Sequence, residues 1–181
     1  MLKGIPKILS PELLKVLAEM GHSDRLVISD GNFPAESMGK DAIVIRCDGH
    51  GVPEILDAIL QVFPLDTYVE KPVNLMEVMP GDNVETPIWD TYKAIIAKYD
   101  DRGADAVGNI ERFAFYDEAK KVYAVIATGE TALYANIMLQ KGVVVDLNPD
   151  DKKGEGFCSL PGYKLREMQQ KARDRFYVIS G

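Results

Sequence analysis

Three segments of the chain repeat apolar residues at the spacing of an amphipathic helix. The first opens with Ser10-Pro11-Glu12, which combines an N-cap residue, proline at the first helical position and an acid in the first turn. Gly21 follows the last apolar position and indicates the end of this helix. A second helix is predicted to open at Pro53, and a third to cover residues 87–99.

Short runs of β-branched and other apolar residues lie between these helices and predict strands. The predicted strands are 25–29, 42–46, 109–115, 122–128, 135–139 and 142–145. Residues 30–34 have the composition of a turn, and 116–121 are predicted as one or two helical turns. Because strands alternate with helices, the pattern predicts an α/β domain of three layers, α/β/α, around a mixed and largely parallel sheet.

The net charge and the cysteines limit the classes of partner and the cellular compartments that fit this sequence. The 181 residues carry a net charge of −7, which is the wrong sign for binding nucleic acid or an anionic membrane surface. Cys47 and Cys158 form no CxxC motif, so we expect free thiols in a reducing compartment. No apolar run has the length of a membrane helix, and the first residues do not have the pattern of a signal peptide. These features predict a cytoplasmic protein.

The composition changes at Asp146, which divides the chain into a predicted domain over 1–145 and a C-terminal extension over 146–181. The extension begins with polar residues and ends in an amphipathic pattern followed by Phe176-Tyr177-Val178-Ile179. A simple linker would leave these apolar residues exposed to solvent. We therefore expect the extension to dock on the same subunit or on a neighbouring one.

The two histidines are the candidates for proton transfer near neutral pH. His22 follows the end of the first helix and has Asp24 and Asp30 nearby in sequence, although a capping or surface role fits this position as well. His50 lies in a glycine-rich loop after a predicted strand, where a solvent-exposed histidine is equally ordinary. A metal site of these histidines with Asp30 and Asp48 has no supporting ligand spacing, so no metal is predicted.

Several catalytic and cofactor motifs are absent from the sequence. There is no GxGxxG after a strand, no GxxxxGK[ST] and no GxSxG, so neither a nucleotide cofactor nor a hydrolase nucleophile is expected. What remains is polar chemistry on a small uncharged ligand, carried by histidine and aspartate together with Arg112, Tyr116, Tyr134 and Asn136 at strand ends and loops.

Several blocks of sequence, in order from residue 2 to about 145, closely resemble the L-fucose mutarotase and D-ribose pyranase family. The matching blocks include Leu2-Lys3-Gly4-Ile5-Pro6, Met20-Gly21-His22, Ser29-Asp30-Gly31-Asn32-Phe33-Pro34-Ala35, Pro64-Leu65-Asp66-Thr67-Tyr68-Val69, Glu111-Arg112-Phe113-Ala114-Phe115-Tyr116 and Leu133-Tyr134-Ala135-Asn136. The Phe-Pro-Ala and Arg-Phe-x-Phe-Tyr blocks resemble the fucose branch more than the ribose branch. The resemblance implies an α/β/α domain in a ring oligomer, such as a decamer, with sugar sites near subunit contacts and no cofactor.

The resemblance also implies roles for individual residues. It assigns catalysis to His22, and sugar binding to Asp30, Asp66, Arg112, Tyr134 and Asn136, with Tyr116 as a further member of the pocket. Interconverting anomers requires one proton to leave the anomeric hydroxyl and another to reach the ring oxygen. His22 is expected to perform one transfer and Tyr116 or a water the other, while Asp30 orients the imidazole or binds a sugar hydroxyl.

Two alternatives remain open from the sequence. The first is a non-catalytic sugar-binding oligomer that serves transport or regulation, which loss of His22 or Tyr116 would have favoured. The second is a related isomerase with an altered substrate. This alternative rests on His50, the extension and Gly31. The family usually has alanine or a similar residue at the position of Gly31 and glycine at the position of Ala135, so both positions depart from its pattern.

Overall fold

The computed structural model describes residues 2–145. Its strands are β1 (Arg25–Ser29), β2 (Ile43–Cys47), β3 (Val73–Met76), β4 (Val107–Ile110), β5 (Ala124–Thr128) and β6 (Ile137–Gln140). Its helices are α1 (Pro11–Glu19), α2 (Ala35–Met38), α3 (Val52–Leu60), α4 (Pro87–Ile96) and α5 (Arg112–Ala119), with a 3₁₀ turn over Gly103–Ala106. None of these helices is long and apolar enough to cross a lipid bilayer.

The strands form one six-stranded sheet in the order β2-β5-β1-β6-β3-β4. Parallel pairs join β1 to β5, β2 to β5 and β3 to β4, whereas β6 runs antiparallel to both of its neighbours, β1 and β3. Strands β1 to β5 therefore all point the same way, and β6 alone is reversed. The mixed, largely parallel sheet predicted from the sequence is confirmed.

Helices cover both faces of this sheet because side chains alternate along the strands. In β1, Leu26 and Ile28 point to one face and join a large apolar cluster with α1, α3 and α4. Val27 points to the other face, where it belongs to a smaller cluster with Phe33, α2 and α5. The three layers predicted from the sequence are thus present in the part of the chain that the structure describes.

The first helix follows its predicted signals closely. The Ser10 hydroxyl accepts a hydrogen bond from the Leu13 N–H at 3.1 Å, and Pro11 occupies the first helical turn. The chain leaves the helix at Met20 and turns through Ser23, whose φ of 70° lies in the left-handed region. This turn carries His22 and leads directly into β1.

The strand predicted over 109–115 is wrong from Glu111 onward. Strand β4 ends at Ile110, and α5 begins at Arg112. The cause is Glu111, whose carboxylate accepts hydrogen bonds from the N–H groups of Phe113 and Ala114 at 2.9 and 3.0 Å and so caps the helix. Arg112 and Tyr116 therefore project from one helix, one turn apart.

Two further predictions differ from the structure. The turn at 30–34 is followed by a short helix, α2, that the sequence pattern did not indicate. No strand forms over 142–145. The residue before this range, Lys141, makes an isolated antiparallel bridge to Leu65. A Cβ atom on Gly142 would lie 2.5 Å from the Leu65 carbonyl oxygen, so the close approach of these two segments requires glycine.

Candidate active site

The carboxyl ends of β1 to β5 and the amino end of β6 meet at one edge of the sheet, which we call the carboxyl edge. Asp30 follows β1, and Asn136 precedes β6. The Asp30 N–H donates to Asn136 Oδ1 at 3.0 Å, and Asn136 Nδ2 donates to Asp30 Oδ2 at 2.8 Å. Both residues are almost fully buried, so this pair of hydrogen bonds fixes the carboxylate in place.

Burial also changes the acidity of this carboxylate. It raises the pKa of Asp30 above the ordinary value, although hydrogen bonds from Asn32 and Asn136 act in the opposite direction. The Asn32 N–H donates to Asp30 Oδ1 at 3.0 Å, so each carboxylate oxygen has a partner within the protein. Asp30 is thus a positioned acceptor with limited freedom to move.

A cavity of about 340 Å³ opens at the carboxyl edge. This volume lies at the lower end of the range of roughly 300–1,000 Å³ typical of small-molecule sites. Its lining residues are Asp30, Asn32, Phe33, Met76, Asp82, Val84, Arg112, Tyr116, Leu133, Tyr134 and Asn136. The wall combines fixed hydrogen-bonding groups with apolar side chains, which suits a compact ligand that has several hydroxyl groups and an apolar side.

Helix α5 supplies the cation of the cavity. A hydrogen bond with Tyr116 is the main cause that raises the pKa of Arg112, with smaller contributions from Tyr134 and Asp82. The Arg112 guanidinium carbon lies 6.0 Å from the centre of the Tyr116 ring, which in turn stacks on Phe33 at 5.6 Å. These contacts hold a donor and a phenol hydroxyl side by side at the cavity wall.

Tyr134 is fixed from two other elements. Its backbone has a φ of 55°, and Trp89 Nε1 donates to its carbonyl oxygen at 2.8 Å. Its hydroxyl accepts from the Met79 N–H at 3.3 Å and donates to the Asp82 carboxylate. No local pattern marked Asp82 and Trp89 as site residues, because Pro80-Gly81-Asp82-Asn83 indicates a turn and the tryptophan indicates a core position.

The opposite edge of the sheet, which we call the amino edge, holds His22. The imidazole Nε2 lies 3.2 Å from Asp66 Oδ2, and the Asp66 side chain is 1% exposed while that of His22 is 43% exposed. Gln140 Nε2 donates to the same Asp66 oxygen at 3.0 Å, and the Tyr68 N–H donates to Oδ1 at 2.8 Å. Asp66 is therefore a buried, fully bonded carboxylate that orients an accessible imidazole.

The structure thus divides the predicted site residues into two groups. Asp30, Arg112, Tyr116, Tyr134 and Asn136 line one cavity. His22 and Asp66 lie beyond the other end of β1, whose five residues span roughly 16 Å.

Orientation of His22 by Asp30 of the same chain, one of the two roles considered for that aspartate, is therefore wrong. Asp66 takes that role, and its 44-residue separation in sequence hides the contact.

His50 belongs to neither group. Its Nδ1 lies 3.3 Å from Glu54 Oε2 on the exposed start of α3. Asp48 instead forms an exposed ion pair with Arg46, so the four residues considered for a metal site have separate partners. Within residues 2–145, no group of three or more His, Cys, Asp and Glu side chains is arranged to hold a metal ion.

The described residues thus form an α/β domain with a cavity that carries fixed hydrogen-bonding groups at the carboxyl edge and an accessible histidine at the amino edge, which are groups that suit a small ligand with several hydroxyls. Comparison with known sequences gives the family: the chain belongs to the RbsD / FucU transport protein family, whose profile matches residues 3–144.

Relatives of known name share most of the described chain. Fucose mutarotase from Homo sapiens is 51% identical over 152 residues, which are 82% of this chain and 97% of the human protein. Among solved structures, FucU from Bifidobacterium longum is 70% identical with a TM-score of 0.78, covering 79% of this chain and all of that one. The fucose mutarotase from Streptococcus pneumoniae, solved in complex with L-fucose, is 48% identical with a TM-score of 0.74, covering 80% of this chain and all of that one.

Proposed function

We propose that this protein is a monosaccharide mutarotase, an isomerase that interconverts the anomers of L-fucose. The observation that carries the proposal is the likeness of residues 2–145 to a fucose mutarotase solved with L-fucose, together with a cavity whose wall has the groups that a reducing sugar needs. Relatives named fucose mutarotase, at about half identity over nearly their whole length, support the same activity.

The cavity wall matches the chemistry of a 6-deoxy sugar. Arg112 donates to sugar oxygens, Asp30 accepts from hydroxyl groups, and Asn136 fixes the orientation of Asp30. Met76, Val84 and Leu133 form an apolar patch that suits the methyl group of L-fucose and offers nothing to a sixth hydroxyl. The cavity thereby favours a sugar with both a polar and an apolar side.

His22 is the proposed proton-transfer group. Because Nε2 is directed at the Asp66 carboxylate, it carries the proton of the neutral imidazole, and Nδ1 keeps the free lone pair. Nδ1 then removes the proton from the anomeric hydroxyl, and the hydroxyl of Tyr116 or a water protonates the ring oxygen. The ring C1–O bond breaks, the aldehyde rotates about C1–C2, and reclosure gives the other anomer. These steps require no metal or nucleotide cofactor.

The separation of His22 from the cavity implies that a complete site contains two copies of the chain. We place His22 of one copy at the cavity mouth of the next, in a ring oligomer such as a decamer. Exposed apolar side chains lie at both positions: Tyr68 contacts His22, Leu133 lines the cavity, and Phe113 follows Arg112 on α5. Contact between copies would bury these side chains and exclude water from the sugar.

The extension over 146–181 lies outside the described residues, so its role is part of the proposal. All proposed site residues precede residue 137. A chain truncated after Val145 should therefore retain measurable anomer exchange, with a lower melting temperature or a changed oligomer size in light scattering. Exchange abolished in a truncated chain that keeps its fold and assembly would place the extension in the sugar site. We also propose a cytoplasmic location.

Saturation-transfer NMR on the anomeric protons of L-fucose tests the activity directly. Spontaneous exchange sets the baseline, and the proposal requires the full chain to exceed it in proportion to protein concentration. A panel that includes D-ribose and L-galactose measures substrate preference, because L-galactose differs from L-fucose only by the hydroxyl group at C6. Saturable sugar binding with exchange at the spontaneous rate would instead identify a non-catalytic sugar-binding protein.

A further inference from the structure

The segment between β3 and α4, residues 77–86, forms part of the cavity wall. It is tied to β4 by the Glu77 N–H, which donates to the Ile110 carbonyl at 2.8 Å. It then turns tightly, with the Asp82 N–H donating to the Met79 carbonyl at 3.0 Å and Gly81 at a φ of 93°. Asp82 and Val84 both reach the cavity, so this segment places a carboxylate where the proposed mechanism uses none.

The Tyr134 hydroxyl is the group that this carboxylate contacts. A phenol hydroxyl has one proton to donate and lone pairs with which to accept. Its proton goes to Asp82, and one lone pair receives the Met79 N–H. The hydroxyl is therefore left with acceptor capacity only, and it presents that capacity to the cavity.

The backbone of Tyr134 is held independently of its hydroxyl. Trp89 Nε1 donates to the Tyr134 carbonyl, and the Tyr92 hydroxyl donates to the Ala135 carbonyl, both at 2.8 Å. Removing the Asp82 carboxylate consequently leaves the backbone of Tyr134 and Ala135 in place. Only the direction of the phenol hydroxyl changes, because its proton is then free to point elsewhere.

We propose that Asp82 is a positioning residue for the sugar site: it binds the proton of the Tyr134 hydroxyl and so makes Tyr134 a fixed acceptor for a sugar hydroxyl. This inference rests on the proposed mutarotase function and deepens it. Arg112, the donor of the cavity, belongs to the same wall as Tyr134 and Asp82. Donor and acceptor then face the ligand from adjacent parts of one wall.

Anomer exchange across a range of L-fucose concentrations, which separates KM from kcat, tests the assignment. Asp82→Ala should raise KM about five- to tenfold, as expected for one weakened hydrogen bond, with kcat changed less. Asp82→Asn retains an oxygen that accepts the phenol proton, so its KM should stay within about threefold of the parent. The matched control is Asp90→Ala, which removes an exposed acid of α4 paired with Lys93 and should change neither constant.

A double-mutant cycle shows whether Asp82 acts through Tyr134. Tyr134→Phe should raise KM, and the double variant Asp82→Ala/Tyr134→Phe should be no worse than Tyr134→Phe alone. Additive losses, an Asp82→Asn variant as impaired as Asp82→Ala, or an Asp82→Ala variant equal to the parent would each overturn the inference. A parent chain that does not accelerate exchange would instead refute the mutarotase function, so the two failures are distinguishable.

Discussion

The two edges of the sheet hold a buried carboxylate in the same way, but the two carboxylates face different surroundings. At each edge a side-chain amide from β6 or its flank bonds a buried carboxylate: Asn136 holds Asp30 at the carboxyl edge, and Gln140 holds Asp66 at the amino edge. Asp66 turns its remaining capacity toward His22 of the same chain, whereas Asp30 faces an open cavity. In the proposed function, the amino edge supplies the proton-transfer group and the carboxyl edge supplies the wall that binds the ligand.

This difference is the basis for the proposal that each chain carries two halves of a site. Reversed strand β6 brings its two ends to opposite edges, so the amides that it supplies serve both. Within one subunit, His22 lies about one strand length from the cavity, too far to exchange a proton with a ligand bound there. The proposed assembly brings His22 of one copy to the cavity of the next.

The largest expected effect comes from the amino edge. His22→Gln should lower kcat by roughly 10²- to 10⁴-fold while KM changes less than about tenfold, because general acid–base groups act on turnover more than on ground-state binding. Saturation-transfer NMR measures both constants. His50→Gln is the matched control, since His50 pairs with Glu54 away from both edges. A parental rate in His22→Gln would move the proton transfer to another group.

Substitutions of the two buried aspartates should change different kinetic constants. Asp66→Asn should lower kcat by about tenfold or more, the effect of losing a charge-assisted hydrogen bond to His22. Asp30→Asn should mainly raise KM and lower kcat less, because Asp30 accepts from sugar hydroxyls. Identical kinetic profiles for the two variants would contradict the division of labour between the edges.

The pH dependence of the melting temperature tests how burial affects Asp30 at the carboxyl edge. Its raised pKa means that the folded protein binds this proton more tightly than the unfolded chain does, so ionisation lowers stability as pH rises above the ordinary value of 3.8. Asp30→Asn removes that loss. Melting temperatures from about pH 4 to about pH 8 should therefore shift in favour of the variant as pH increases. A difference between the two proteins that does not vary with pH would refute the account of Asp30.

The smallest expected effect concerns Gly31, beside Asp30. A Cβ there would lie 3.2 Å from the Glu130 carbonyl oxygen, and the backbone φ of Gly31 is not in the left-handed region. Gly31→Ala should therefore need only a shift of a few tenths of an ångström, with stability changed by about 0.5 kcal/mol and exchange by about twofold. Loss of L-fucose exchange with retained exchange of another sugar would show that this glycine sets specificity.

Local patterns predicted much of the fold. The strand Arg25–Ser29 and the start of α1 at Pro11 agree with the structure because their signals lie within a few neighbouring residues. The second half of α5 agrees with the helical turns predicted over 116–121. Its start at Arg112 was missed because phenylalanine and tyrosine favour strands, while the decisive contact is the capping carboxylate of Glu111.

The site was only partly predictable for a related reason. Asp30 follows His22 closely in sequence, yet the strand between them is extended and carries them to opposite edges. Asp66 and Asp82 reach their partners through tertiary contacts over 44 and 52 positions, which no local pattern records. The resemblance to a known family supplied the candidate residues, and the structure shows at which edge of the sheet each of them lies.

The most direct test of the two-copy site mixes subunits that are each defective at one edge. His22→Gln and Arg112→Ala chains, coexpressed or dissociated and reassembled together, should regain L-fucose exchange at up to about a quarter of the sites, because random assembly joins an intact His22 to an intact cavity at that frequency. Mixing His22→Gln with the double variant His22→Gln/Arg112→Ala is the control and should stay inactive. Mixed oligomers that form, bind L-fucose and show no regained exchange would contradict a site shared between copies.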